Sequence, residues 1–190
     1  LLPEESHDHV IVETDSGVTI RYNDPRRFGF MDLTAAADLD SYPMLARIGP
    51  EPLGPDFTVA VLAERLKGRA APIKVVLLDQ QTVAGLGNIY VCEALYQAGI
   101  SPNRKAQNVK GGRVAKLHAA IVDVLARAIE AGGSSLKDHL QPDGELGYFQ
   151  NNFLTYGRAG VDCQRCGAEY PIRQIVQSGR STFYCSNCQR

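Results

Sequence analysis

Residues 9–33 alternate apolar and polar positions with the period of a β-strand. The apolar positions are Val10, Val12, Val18, Ile20 and Tyr22. Asp15-Ser16-Gly17 interrupts them with residues that favour turns, so the pattern predicts a β-hairpin. Residues 28–33 are again rich in apolar side chains and predict a further β segment after the loop Asn23-Asp24-Pro25-Arg26-Arg27.

The spacing of apolar residues changes after a stretch rich in proline and glycine. Residues 34–56 carry Pro or Gly at short intervals and predict a linker. The apolar period beyond it is helical. The predicted helices cover residues 58–66 with Thr58 as N-cap and Gly68 past the end, residues 73–78, a segment after Gly85-Leu-Gly87-Asn88, and residues 112–131. The last has an apolar stripe of Val114, Leu117, Ala120, Ile121, Val124, Leu125 and Ile129.

A polar region follows the helices. Ser134-Ser135-Leu-Lys137-Asp138 predicts a short capped helix. Residues 141–149 combine Pro, Asp and Gly without alternation, which is typical of a mobile loop, and the loop is long enough to form a lid over a ligand.

The last 28 residues contain the strongest chemical pattern in the chain. Cys163-Gln-Arg-Cys166 and Cys185-Ser-Asn-Cys188 are two C-x2-C pairs with 18 residues between them. This spacing is typical of four thiolates that hold one structural zinc ion. The residues between the pairs predict two strands around Ser178-Gly179, a hairpin too small to bury a core by itself, so zinc is expected to fold it.

Composition and charge narrow the classes of function. The chain has 190 residues, 44% of them hydrophobic, and a net charge of −1, which argues against a protein that coats nucleic acid along its whole surface. The segment from residue 156 to 190 nevertheless carries five arginines against Asp162 and Glu169. A basic zinc module on a neutral body predicts a localised phosphate-facing surface. No apolar run is long enough to span a membrane.

The fifth cysteine, Cys92, lies in an apolar helical context and is interpreted as a small buried hydrophobe in a reduced, cytosolic protein. The chain opens at Leu1 without an initiator methionine and enters a strand pattern at once. We therefore expect it to be a fragment.

Two loops allow alternative interpretations. In Arg26-Arg27-Phe28, composition alone favours a solvated turn, while the alternative is a guanidinium that contacts a base edge beside a ring that wedges into the base stack. The Gly85-Leu-Gly87-Asn88 turn could expose helix N–H groups to a phosphate, although a G-x-G pair is a weak motif.

Taken together, five segments resemble the formamidopyrimidine-DNA glycosylase family, and they cover essentially the whole chain in family order. They are Asp24-Pro-Arg-Arg-Phe-Gly29, Asp79-Gln with Gly85-Leu-Gly-Asn-Ile-Tyr90, Gly144-x-x-Gly-Tyr-Phe149, Tyr156-Gly-Arg158, and Gly179-Arg-Ser-Thr-Phe-Tyr-Cys185. The resemblance implies an α+β fold with part of an N-terminal β-sandwich, a helix-two-turns-helix domain and a C-terminal β-hairpin zinc finger. The corresponding ranges are residues 1–50, 51–152 and 153–190.

The resemblance also implies a function in base excision repair. The family clamps damaged double-stranded DNA and flips an oxidised purine, such as 8-oxoguanine, out of the stack. Its implied DNA contacts here are His7, Arg26, Arg27, Phe28, Arg69, Lys74, Asn88, Lys137, Tyr156 and Arg180, with Glu93 near the lesion pocket. Gly147, Tyr148 and Phe149 belong to the implied lesion loop, Arg180 to the implied proton transfer in δ-elimination, and Cys163, Cys166, Cys185 and Cys188 to the zinc site.

The chain departs from the family where the nucleophile is concerned. The family attacks the sugar with an N-terminal proline, assisted by a glutamate and a lysine, and Pro3 is an internal imide without a free amine. The complete protein is expected to be a glycosylase and lyase, while this chain is expected to bind DNA without cutting it. Gln174 and Ala70 replace basic residues that are common in the family, and Arg69 and Arg173 are neighbours that could compensate.

Two rivals stay open at this point. An endonuclease eight-like glycosylase shares the fold but prefers oxidised pyrimidines; a non-catalytic zinc-ribbon protein would only bind DNA. A structural scaffold would give no reason for arginines beside a wedge and at the finger hairpin. We expect a bacterial cytoplasmic monomer that associates with the nucleoid through DNA and has no membrane contact.

Overall fold

The computed structural model describes residues 5–134 and 147–190. It combines helices and strands, as the α+β prediction requires, and this fold class is confirmed. The chain divides into two compact units, Leu1–Ala46 and Arg47–Arg190. Within the described ranges, no helix is both long enough and apolar enough to cross a membrane.

The first unit is built on the predicted hairpin. Strand β1 (Asp8–Glu13) pairs antiparallel with β2 (Thr19–Asn23). The turn between them is closed by backbone hydrogen bonds that join Thr14 to Gly17 and Val18, where Gly17 has a φ of 78°. The hairpin prediction is therefore confirmed in position and in turn.

The predicted β segment over residues 28–33 is wrong. This stretch forms no strand, and Phe28, Phe30 and Leu33 are 78%, 60% and 94% exposed. Alternating apolar residues favour a strand only where a neighbouring strand can pair with them. In the described part of the first unit, no strand pairs with residues 28–33. The predicted linker that follows contains a short 3₁₀ helix, Ala36–Ser41.

The helices of the second unit begin and end close to the predicted positions. They are α1 (Val59–Leu66), α2 (Ile73–Leu77), α3 (Asn88–Ala98) and α4 (Gly112–Glu130). The Thr58 side chain accepts a hydrogen bond from the backbone N–H of Val61 at 3.2 Å, which makes it the N-cap of α1. Gly99 ends α3 with a φ of 69° in the left-handed region, where glycine is favoured.

The apolar stripes of these helices close over one core. Leu62, Ile73, Leu95 and Leu117 are all fully buried. Cys92 is buried too, as predicted. Ile129 belongs to the predicted apolar stripe of α4 but is 66% exposed. The apolar spacing of a helix can extend beyond the part of the helix that packs against its neighbours.

The last 29 residues form two short antiparallel pairs. Strand β3 (Asp162–Cys163) pairs with β4 (Gly167–Pro171), and β5 (Arg173–Gln177) pairs with β6 (Arg180–Tyr184). Ser178 and Gly179 join β5 to β6 with φ values of 48° and 72°, which is the geometry of a two-residue type I′ turn. The predicted hairpin of the finger is confirmed.

Several predictions fall outside the described residues. They are Pro3, Lys137, the capped helix over residues 134–138 beyond Ser134, and residues 141–146 of the predicted loop.

Candidate nucleic-acid interface and metal centre

A single backbone carbonyl joins the finger hairpin to the helices. The carbonyl oxygen of Ser181 accepts a hydrogen bond from Asn88 Nδ2 at 2.9 Å and from Lys74 Nζ at 3.4 Å. Because Arg180 precedes Ser181, these bonds hold the exposed Arg180 close to the first turn of α3. The structure thus brings Lys74, Asn88 and Arg180 together.

The first turn of α3 is built by a glutamine. Gln80 accepts a hydrogen bond from the Gly85 N–H at 2.8 Å and donates to the Leu86 carbonyl at 3.2 Å, so its amide brackets the turn before the helix. Gly85 has a φ of 68°. The N-cap of α3 is Gly87, which offers no side-chain cap. Within the described ranges no side chain caps this turn, so its N–H groups can meet an acceptor from outside the helix.

Lys74 is fully buried, and it lies beside the polar residues Asn88 and Arg180. Burial lowers the pKa of its ammonium, and the positive charge of Arg180 lowers it further. Asn88 is half-buried, and among the described residues its Oδ1 atom has no hydrogen-bond partner. The two cations favour a negatively charged ligand, whereas the open Asn88 Oδ1 can only accept a hydrogen bond.

A buried carboxylate fixes the segment that leads into the finger. Glu93 is 2% exposed and accepts hydrogen bonds from the backbone N–H groups of Leu154, Thr155 and Tyr156 at 2.9, 3.0 and 2.7 Å. The Tyr156 ring packs edge-on against Phe183 of β6, and its hydroxyl accepts from Asn88 Nδ2 at 3.5 Å. Tyr156 therefore joins the cluster around Asn88.

In the first unit, an aspartate shapes the Arg26-Arg27-Phe28 loop. The Asp24 carboxylate accepts a hydrogen bond from the Gly29 N–H at 2.7 Å, which lowers the pKa of that carboxyl. The Arg26 guanidinium lies 4.7 Å from the centre of the Phe28 ring, and all three loop residues are exposed. A ring and a guanidinium are thus presented side by side.

Three further predicted DNA contacts, His7, Arg27 and Arg69, interact with residues of their own compact unit. The His7 carbonyl accepts from the Asp24 N–H at 3.1 Å, so its backbone belongs to the same loop. His7 and Arg27 have positive φ values of 78° and 53°. The Arg69 guanidinium pairs with the Asp79 carboxylate at 2.8 Å, and this contact lowers the pKa of Asp79. Arg69 is therefore partly engaged in holding the helices.

The described end of the predicted lesion loop packs against the helices. The backbone N–H of Tyr148 donates to the Ala131 carbonyl and that of Phe149 to Gly133, at 2.9 and 3.0 Å. Phe149 is 1% exposed and belongs to the core, Gly147 is buried, and Tyr148 is 62% exposed. Of the three, Tyr148 alone offers a large surface to a ligand.

The four predicted thiols form one cluster. All four Sγ atoms lie within 4.8 Å of one another, and the Cys163–Cys188 and Cys166–Cys185 separations are both 3.8 Å. A tetrahedral zinc with Zn–S bonds of about 2.3 Å requires S···S separations of about 3.8 Å. The residues therefore fit one structural zinc ion, and the predicted cofactor is confirmed.

Cys163 is the thiol of the cluster that its hydrogen bonds polarise towards the thiolate. Burial acts to raise the pKa of Cys163, but hydrogen bonds from the Tyr96 hydroxyl and from the N–H groups of Arg165 and Cys166 outweigh it and lower that pKa to about 6. By contrast, burial raises the pKa of Cys92, whose thiol lies within α3.

Sequence reasoning missed two parts of this arrangement. The Ser181 carbonyl belongs to the backbone and has no residue letter that could mark it. Tyr96 contacts Cys163 across 67 positions of the chain and looked like an ordinary residue of a helix. Glu93 could be noticed in the sequence as an acidic residue within the otherwise apolar stretch of α3. The sequence did not show which three N–H groups it binds.

The helical part and the finger define a class of protein with a helix-two-turns-helix domain and a four-cysteine zinc finger. Residues 48–139 match the family described as the formamidopyrimidine-DNA glycosylase H2TH domain, and residues 163–190 match the zinc finger found in FPG and IleRS. The chain belongs to the formamidopyrimidine-DNA glycosylase family.

Relatives and solved structures agree with this assignment. A formamidopyrimidine-DNA glycosylase from Ruegeria pomeroyi is 57% identical over 98% of this chain, and the chain covers 66% of that relative's length. The MutM (Fpg) protein of Thermus thermophilus matches 99% of this chain and 70% of its own at 40% identity, with a TM-score of 0.89. Lactococcus lactis Fpg bound to N7-benzyl-Fapy-dG DNA matches 99% and 68% at 38% identity, with a TM-score of 0.86.

Proposed function

We propose that this chain is the part of an oxidised-purine DNA glycosylase that grips damaged double-stranded DNA. The observation that carries the proposal is the junction at the Ser181 carbonyl, where Asn88 and Lys74 hold Arg180 beside the open first turn of α3. A guanidinium beside the N–H groups of a helix N-terminus suits a DNA phosphate. The solved relative bound to N7-benzyl-Fapy-dG DNA supports the choice of a damaged purine.

The remaining contacts follow the family assignment. Asn88 and Arg180 hold the phosphates that flank the lesion, and Arg69, Tyr156 and Lys137 supply further contacts on that side. The fully buried Lys74 supports that side through the Ser181 carbonyl. His7 contacts a phosphate next to the Arg26-Arg27-Phe28 loop. There, Phe28 wedges into the stack and Arg26 pairs with the orphaned cytosine, while Arg27 lies on the backbone. The loop that ends at Gly147, Tyr148 and Phe149 closes over the extruded base.

The side-chain chemistry agrees with this division of roles. Cations on phosphates give affinity that falls as salt rises, whereas a ring and a guanidinium offset the few kcal/mol lost when a base leaves the stack. The exposed Phe28, at 78%, has the surface that such a wedge needs.

Base release and strand cleavage belong to the longer protein in this proposal. A secondary amine attacks the sugar C1′, the damaged base leaves, and β- and δ-elimination follow through the imine. Arg180 transfers a proton in the last elimination. The family places the amine on an N-terminal proline. We further propose three domains, residues 1–50, 51–152 and 153–190, in a cytoplasmic monomer.

Arg180→Ala tests the proposed grip. We expect at least about tenfold weaker binding to an 8-oxoguanine duplex, because a charge-assisted phosphate contact is lost. The plot of log affinity against log salt concentration should lose about 0.9 of its slope, which corresponds to one phosphate contact. Fluorescence anisotropy across a salt series measures both quantities.

Arg113→Ala provides the matched control. Arg113 is an exposed arginine of the same unit, near the start of α4 rather than at α3, and should leave the slope unchanged. Equal slopes for wild type and Arg180→Ala would remove Arg180 from the interface.

A substrate panel separates this proposal from its rivals. Duplexes with 8-oxoguanine, an oxidised pyrimidine or no lesion are compared for binding by this chain and for borohydride trapping by an N-terminally completed protein. Preference for the oxidised pyrimidine would favour the endonuclease eight-like alternative. Binding without trapping by the completed protein would favour the non-catalytic one.

A further inference from the structure

A tyrosine hydroxyl from helix α3 reaches one of the zinc ligands. Tyr96 Oη lies 3.3 Å from Cys163 Sγ, and both residues are 1% exposed. Both groups are therefore shielded from solvent. The finger thus shares a buried hydrogen bond with a helix that contributes no thiol to its metal.

The direction of this hydrogen bond follows from the chemistry of the site. A thiolate that binds zinc carries no proton, so Cys163 can only accept and Tyr96 must donate. Asn187 plays the same part within the finger, where its Nδ2 atom donates to Cys166 Sγ at 3.4 Å. Of these two side-chain donors, one is therefore supplied by the finger and one by the helical part.

An arginine of the first cysteine pair holds this tyrosine in place. The Arg165 guanidinium lies 4.6 Å from the centre of the Tyr96 ring and donates to the Tyr96 and Gln97 carbonyls at 2.8 and 3.2 Å. These carbonyls belong to the last turn of α3, where a cation is favourable. Because Arg165 lies between Cys163 and Cys166, it ties the metal-binding turn to the ring that donates to it.

We propose that Tyr96 is an outer ligand of the zinc, and that the helical part thereby sets the metal affinity of the finger. Four thiolates around one Zn²⁺ leave a net charge of −2 in a largely buried site, and donors to the sulfurs stabilise that charge. The coupling is reciprocal, so bound zinc also strengthens the attachment of the finger to α3.

Tyr96→Phe tests the proposal because it keeps the ring and removes the donor alone. Competition with a chromogenic chelator, using the whole zinc-loaded chain, should show zinc affinity lowered about tenfold, at the low end of the range for outer-ligand substitutions. The control is Tyr90→Phe on the same helix, whose hydroxyl lies 3.4 Å from Ser134 Oγ and away from the thiols. Its zinc affinity should equal that of the wild type.

Cobalt substitution separates an outer ligand from a merely structural residue. In the Co²⁺-loaded chain, loss of a donor to a thiolate should shift the sulfur-to-cobalt charge-transfer band to lower energy in Tyr96→Phe but not in Tyr90→Phe. Two results would overturn the proposal: a zinc affinity within twofold of the control, or a weaker affinity with an unchanged cobalt spectrum, which would indicate general destabilisation.

Discussion

The helical part, residues 47–134, and the finger, residues 161–190, are ordered by different forces. Among the described residues, 22 buried apolar side chains form the helical core, and Phe149 and Phe153 are two of them. The buried cluster of the finger is Cys163, Ile172, Phe183 and Cys185, completed by Tyr96 from α3. A segment of about 30 residues cannot bury enough apolar surface to fold alone.

The comparison shows how a small module can be placed accurately on a larger one. The finger depends on metal for its own fold and on polar contacts for its position, at Ser181, Arg165 and the chain end. Gln189 donates to the Ile100 carbonyl at 3.0 Å, and the Arg190 N–H donates to Gly99 at 3.1 Å. Directional bonds fix orientation, whereas apolar burial mainly supplies stability.

Zinc removal should give the largest difference between the two regions. Structural zinc contributes about 10–16 kcal/mol to small folds of this kind, so chelation should unfold residues 161–190 while the helical core persists. Amide NMR spectra before and after chelation measure this. Cys185→Ser should reproduce the effect, and Cys92→Ala should still bind one zinc per chain. Collapse of the helical signals on chelation would contradict the division.

A core truncation should act in the opposite region. Leu117→Ala in α4 removes a fully buried side chain and should lower the free energy of unfolding by about 2–5 kcal/mol. Urea denaturation followed by circular dichroism measures it, and zinc stoichiometry should stay at one. Ile129→Ala on the same helix is the control, since Ile129 is 66% exposed and its loss should cost roughly 0.5 kcal/mol or less. Similar costs for both would place the core elsewhere.

Glu93→Gln should have a smaller effect that falls between the two regions. Glutamine keeps one of the two side-chain oxygens that accept from the N–H groups of residues 154–156 and replaces the other with an NH2 group, which cannot accept. This should cost about 2 kcal/mol of stability. Hydrogen exchange should accelerate at these three amides. The exposed Glu130→Gln should leave them unchanged. Unaltered protection in Glu93→Gln would mean that other contacts hold the segment.

Sequence alone located the regular elements because their determinants are local. Thr58 caps α1 by bonding three residues ahead, and the two cysteine pairs lie within four positions each. The segment over residues 28–33 failed because pairing depends on a neighbour. The candidate site was harder still, since Lys74 meets Ser181 across 107 positions. The resemblance could name these residues, but not the carbonyl that joins them, and their roles on DNA stay predictions.

Helix α3 is attached to the finger at both of its ends, through Asn88 at Ser181 and through Tyr96 and Gly99 at Cys163 and Arg190. Eleven residues span about 16 Å, so the finger has two anchor points one helix length apart. A module attached at one point can pivot in any direction, whereas a module attached at two points can rotate only about the line that joins them. A force on the tip of the finger would therefore be transmitted to both ends of α3.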